Sequence, residues 1–207
     1  MESASNIKNI IFDLGGVIMN LDVDKTILAF KDLGMTDVVN DTNLYYKNPI
    51  FNDFETGKIS ETGFLDELGK LLGPNATHKK IKQAWNAMIL DIPKDRINFT
   101  LNLKDKYRVF LLSNTNSIHQ TKFESEFKQQ NDFLFAKLFE KIYYSHKLGM
   151  RKPGEEIFNF VIKDSKLKAK KTLFIDDSDQ NIATAKKLGI KTVHLQDAAL
   201  LTNLDIK

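Results

Sequence analysis

Cysteine is absent from the 207 residues, so disulfides, thiolate nucleophiles and cysteine-ligated zinc are excluded. A surplus of either charge is missing too. The 30 basic and 27 acidic residues leave a net +3, and no basic patch is interleaved with aromatics, so nucleic acid is not an expected partner. No apolar stretch approaches the ~20 residues of a membrane-spanning helix. Met1 to Lys8 has no apolar core of signal-peptide length. Internal repeats and low-complexity tracts are also lacking. The expectation is a soluble, cytoplasmic protein with no nucleic-acid or membrane partner. What the chain does have is a 42% share of hydrophobic residues, enough for a substantial core.

The most informative stretch is Asn9 to Val17. Ile10, Ile11 and Phe12 form an unbroken apolar run, as in a strand buried on both faces of a parallel sheet. Asp13 follows at once, and Gly15 and Gly16 break the pattern. This places a carboxylate at the C-terminal end of a strand, the edge where open α/β sheets bind ligands.

From Asp24 to Asp91 the texture is helical. Asp24 is a candidate cap for a helix containing Ile27, Leu28 and Phe30. Ser60 is a cap for Phe64, Leu65, Leu68, Leu71 and Leu72, a run that Gly73-Pro74 stops. Thr77 opens a third helix with Ile81, Ala84, Trp85, Met88 and Ile89 on one face, read as packing. From Pro93 strands alternate with helices. Arg108–Asn114, Ile142–Ser145, Thr172–Asp176 and Lys191–Leu195 read as strands. A polar helix spans Ser117 to Gln130. Pro153 reads as a first helical position, with Glu155 and Glu156 in the first turn. Ser178 and Gly189 bracket a last helix. The fold class is α/β: a Rossmann-like parallel sheet core with helices on both faces, residues 1–21 and 92–207. A small all-helical cap, residues 22–91, is inserted after the first strand.

Three of the buried runs end in reactive residues: Asp13, then Ser113-Asn114-Thr115-Asn116, then Asp176-Asp177. Between the last two stands Leu148-Gly149-Met150-Arg151-Lys152-Pro153. Each has an ordinary explanation alone: a turn for Ser113 and Asn114, solvent for Lys152, a cap for the aspartates. In a parallel sheet all these ends lie along one edge. A carboxylate nucleophile, a hydroxyl, a lysine and a carboxylate pair together suit phosphoryl transfer through an aspartyl-phosphate. That reaction needs charge on the transferring oxygens neutralised, by Mg²⁺ and by protein cations.

With these motifs in order, the chain resembles the haloacid dehalogenase superfamily, most of whose members are Mg²⁺-dependent phosphatases. Phe12-Asp13-Leu14-Gly15-Gly16-Val17 looks like the first motif, which implies Asp13 as nucleophile. Ser113-Asn114 looks like the second, which binds substrate phosphate. Lys152 looks like the third, a catalytic residue that also binds the substrate phosphate and balances its charge, within salt-bridge reach of Asp13, where it would lower the nucleophile's pKa. Asp176-Asp177 looks like the acidic metal motif, implying Mg²⁺ ligands at Asp13, the Gly15 carbonyl, Asp177 and Asp176. The motif set is similar to a bacterial sugar-phosphatase branch that includes an α-D-glucose-1-phosphate phosphatase. Phe54 to Ser60 looks like the cap loop that selects the leaving group, although it also suits a plain helix-helix turn.

One departure stands out. Most phosphatases of the superfamily carry a second aspartate two positions after the nucleophile, as general acid and base. Here that position is Gly15, and Asp22 and Asp24 are the nearby candidates to replace it. The resemblance implies a Mg²⁺-dependent phosphatase acting on a small phosphorylated metabolite, such as a sugar phosphate. The alternatives are a metal-free dehalogenase and a phosphate-binding regulatory protein without turnover.

Overall fold

The computed structural model describes residues 7–34 and 49–206. Residues 35–48 of the expected cap, and the terminal segment before Ile7, lie outside the described residues. Five strands form a parallel sheet: β1 (Asn9–Phe12), β2 (Arg108–Ser113), β3 (Lys141–Tyr144), β4 (Thr172–Asp176) and β5 (Lys191–His194), in the order β3-β2-β1-β4-β5. The chain runs outward from β1 through β2 and β3, then returns to β4 on the other side. The crevice of this fold therefore opens beside the end of β1.

Burial explains why β1 is an apolar run rather than an alternating one. Ile10 and Phe12 pack with Val109, Leu111, Leu173 and Ile175 on one face. Ile11 packs with Phe110, Leu112 and Phe174 on the other. Phe12 pairs with Ile175 in register, and the Asp13 N–H donates to Ile175 O at 2.9 Å. One step further, Asp13 and Asp176 come level on neighbouring strands. Neighbouring side chains at the same level point to the same side.

The helical stretch leaves and rejoins the sheet region through two adjacent segments. Asn20 N–H donates to Asp91 O at 2.9 Å, Leu90 N–H to Asn20 O at 3.2 Å, and Asp22 N–H to Met88 O at 3.0 Å. Its helices Val23–Asp32, Pro49–Glu55, Glu61–Leu72 and His78–Trp85 gather around Trp85, which is fully buried. Phe30, Phe51, Phe64 and His119 surround the indole, with ring centroids 6.0, 5.1, 5.3 and 4.7 Å away. The indole N–H donates to Asn116 Oδ1 at 3.3 Å, and His119 Nε2 donates to Trp85 O at 3.0 Å. Burial pushes the His119 pKa down to about 4, so its ring is neutral and serves as a packed hydrogen-bonding group. Trp85 thus joins the helical stretch to the segment that follows β2.

Several local expectations need correction. The first helix is headed by Asp22 in the N-cap position, with Asp24 in its first turn. Thr26 and Phe30 face inward, one turn apart, which leaves Leu28 on the outer side, 58% exposed. Pro153 does not start a helix. Arg151 to Gly154 form a turn closed by Gly154 N–H on Arg151 O at 3.0 Å, and the helix begins at Glu155. Ser178 stands at an N-cap, but its side chain makes no capping bond; its N–H instead donates to Asp176 Oδ1 at 2.8 Å. A helix at Lys94–Leu103 was not foreseen. Ser60 and Thr77 do cap, each accepting from the N–H three residues on.

Replacing Trp85 by alanine removes the centre of this aromatic cluster and leaves the Asn116 amide without the indole donor. The expected cost is about 3–5 kcal/mol, read as a lower urea midpoint by circular dichroism. A loss below about 1 kcal/mol would show that the cluster is not what joins the helices to the sheet.

Candidate active site

The structure brings Asp13, Ser113, Lys152, Asp176 and Asp177 to one edge of the sheet. Ligand oxygens of Asp13, Asp176 and Asp177 lie within 4.8 Å of one another. Lys152 enters from the loop before the Glu155–Asp164 helix. Its Nζ donates to Asp13 Oδ1 and to Asp176 Oδ2, both at 2.7 Å, and the residue is 1% exposed.

Asn114 fixes the backbone that carries this lysine. Its amide accepts from Lys152 N–H and donates to Lys152 O, each at 2.9 Å. The expectation placed Asn114 on the substrate phosphate; here its side-chain amide makes one donated and one accepted bond to the Lys152 backbone. The Ser113 hydroxyl is buried and, among the described residues, makes only a long 3.4 Å contact, to Asn114 O. It is poorly satisfied as it stands, which suits a group that completes its bonding with a ligand.

The two adjacent aspartates differ sharply. Asp176 is fully buried and accepts from Lys152, from Ser178 N–H, and from Asn181 Nδ2 at 2.9 and 3.1 Å. Both of its oxygens are engaged. Asp177 stands at the solvent edge of the cluster, beside Gly16. A Cβ on Gly16 would collide with Asp177 Oδ2 and lie 2.9 Å from its Cγ, and Gly16 has φ +73°. Glycine is needed here for close approach and for conformation. The paired glycines of the sequence signal a backbone constraint but not its partner. Gly15 lies under Leu21, whose Cγ would be 3.2 Å from an added Cβ. Asp22 and Asp24, the expected replacement acids, sit at the start of the first helix, where Asp22 has Lys25 4.0 Å away.

Burial is the largest influence on Asp13 and pushes its carboxyl up to about 7. Lys152 acts downward and the two other aspartates act upward. Lys152 is in salt-bridge reach and acts downward as expected, but desolvation and like charge outweigh it. Burial also acts against the charge on Lys152, yet Asp13 and Asp176 raise its pKa overall. Burial and Asp176 raise the pKa of Asp177. Three carboxylates against one ammonium form an electron-rich pocket short of positive charge. Hard oxygen donors in such a set fit Mg²⁺, with Asp177 and Asp13 the ones holding an uncommitted oxygen.

Gly16→Ala should weaken Mg²⁺ binding by at least about tenfold, equivalent to roughly 1.4 kcal/mol, because the added methyl displaces Asp177. Titration calorimetry checks this, and unchanged affinity would remove Gly16 from the site. A second expectation concerns pH in metal-free protein. The Asp13 pKa is raised on folding, so its contribution to stability falls as pH rises from about 4 to about 7. Asp13→Asn lacks that loss. Its melting temperature relative to the parent should climb across the window, reaching a gain of at least about 2 °C, or roughly 1 kcal/mol. His119 titrates with opposite sign over nearly the same range, and comparing the two proteins cancels it. A flat difference from pH 4 to 8 would refute the assignment.

Comparison with known proteins agrees with this architecture. A family model described as haloacid dehalogenase-like hydrolase matches residues 7–189. The chain is 39% identical over 198 residues to a D-ribitol-5-phosphate phosphatase of Bacteroides thetaiotaomicron, covering 93% of this chain and 94% of that protein. A HAD family enzyme of the same organism, solved with magnesium and inorganic phosphate, superposes with TM-score 0.84 at 38% identity, over 90% of this chain and 93% of that one. A predicted HAD-like hydrolase of Porphyromonas gingivalis gives TM-score 0.83 at 35% identity, over 91% and 90%. The family match across most of the chain and the relatedness along nearly its whole length make it a member of the haloacid dehalogenase-like hydrolase family.

Proposed function

We propose that this protein is a Mg²⁺-dependent phosphatase that hydrolyses the phosphate monoester of a sugar or polyol. The observation that carries the reading is the buried Lys152 ammonium, 2.7 Å from both Asp13 and Asp176 at the end of adjacent central strands. The relative named as a D-ribitol-5-phosphate phosphatase supports the substrate class.

Asp13 is the nucleophile. Its carboxylate forms a bond to phosphorus as the ester P–O bond breaks, and water then hydrolyses the aspartyl-phosphate. Lys152 holds Asp13 Oδ1, which orients the carboxylate, and its charge offsets that of the incoming phosphate. Ser113 donates its hydroxyl to a phosphate oxygen. Asp177, Asp13 and the Gly15 carbonyl hold the metal, which supplies charge neutralisation on the phosphoryl oxygens. Asp176, with both oxygens engaged, chiefly anchors Lys152. The described helices between residues 22 and 91 serve, in this reading, as the cap. Gly15 offers no side-chain proton to the departing alkoxide, a form of help worth about 10²–10⁴-fold.

The test is phosphate release, with and without Mg²⁺, from p-nitrophenyl phosphate, glucose 1-phosphate, glucose 6-phosphate and D-ribitol 5-phosphate. Turnover should require Mg²⁺, vanish with chelator, and fall by at least about 10³-fold in Asp13→Asn. It should be fastest where the leaving oxygen is least basic. Gly15 favours a second reading, a phosphate binder without turnover. That reading is adopted if phosphate binds and no ester is cleaved. Metal-independent halide release from a haloacid would instead mark a dehalogenase.

A further inference from the structure

Arg151 immediately precedes the lysine of the site, and its side chain runs the other way. Its Nη2 lies 3.1 Å from Glu55 Oε2, and its Nη1 donates to Asn52 Oδ1 at 3.0 Å. Both partners belong to the Pro49–Glu55 helix of the expected cap. Glu55 is only 6% exposed. The surrounding surfaces meet closely. A Cβ on Gly57 would collide with His146 O and lie 3.2 Å from its carbonyl carbon, and Gly57 has φ +66°. So the turn after Glu55 is seated on the loop that leads to Lys152.

We propose that Arg151 is a positioning residue that couples the placement of this turn to the placement of Lys152. One peptide bond separates the two side chains. Asn114 clamps the Lys152 backbone from the sheet side, and Glu55 with Asn52 clamps Arg151 from the helical side. With the turn seated, both ends of the Arg-Lys pair are fixed and the ammonium is held on Asp13. With the turn lifted, Arg151 loses both of these partners, while the rest of the loop keeps its anchors on Asn114, Thr115 and Gln120. The seated arrangement also buries Arg151 Nε without a hydrogen-bond partner among the described residues. Such a donor is costly away from water, and lifting the turn hydrates it. The inference deepens the phosphatase reading and rests on it for its kinetic arm only.

The experiment uses the full chain with Mg²⁺ and compares the parent with Glu55→Gln, Arg151→Met and the double variant. Amide hydrogen exchange in residues 145–153 reads the coupling without any turnover. Exchange there should speed up at least tenfold in Glu55→Gln, although the substitution lies on a different element. In steady state with p-nitrophenyl phosphate, which has no hydroxyls for the turn to contact, each single variant should lower kcat about tenfold with little change in KM. The double variant should lower it no further, because both remove one coupling. Asn52→Ala, the mildest cut, should show the same pattern at smaller size if the others fold poorly. Unchanged exchange in residues 145–153, or kcat losses that multiply in the double variant, would overturn the proposal. A parent protein that cleaves no phosphate ester would sink the phosphatase reading, while the exchange data would still decide the coupling.

Discussion

The Lys152 ammonium sits in a space closed to water and is shared between carboxylates on two neighbouring strands. Much of the molecule serves that contact. The parallel register of β1 and β4 brings Asp13 and Asp176 level. Asn181, from the next helix, and the Ser178 N–H hold Asp176 in place. Asn114, from the end of β2, fixes the lysine backbone. Removing two carboxylates and an ammonium from water can cost more than their mutual attraction returns in folding stability. The arrangement makes sense as a site prepared for more positive charge and for a phosphoryl group.

This geometry divides labour among acids that look alike in the sequence. Asp13, Asp176 and Asp177 are chemically identical side chains. Hydrogen bonding commits Asp176 to the lysine, while its neighbour faces the solvent edge against the bare backbone of Gly16. Asp13 stands between them with one oxygen bonded to the cation. Burial and like charge raise the Asp13 pKa, so added positive charge both restores its ionised form and relieves the repulsion.

The centre of the sheet was readable because β1, β2 and β4 each leave an unbroken apolar run, and Thr172–Asp176 coincides with its expected bounds. The Ser117–Gln130 helix was equally legible from its polar pattern. The Lys94–Leu103 helix was not, since its apolar residues do not gather into a clear stripe. Pro153 was misread because proline suits a first helical turn as well as the tight turn that aims Lys152. At the site, Asp13, Ser113, Lys152 and the aspartate pair could be nominated from the ends of apolar runs. The use of Asn114 and the fit of Gly16 against Asp177 could not. Both depend on contacts between segments far apart in the chain, and local pattern carries no record of them. Arg151 was hidden for the same reason, its partners lying about a hundred residues upstream.

The chain departs from the sheet at residues 20–22 and returns at 88–91 along hydrogen-bonded segments lying side by side. The distance between these two points is set locally, whatever number of residues lies between them. Loop-closure entropy grows only slowly with length, so that paired junction acts as a socket. A helical unit of different size or shape can be grafted there without stretching the strands that hold Asp13, and substrate range can diverge while the chemical centre stays unchanged.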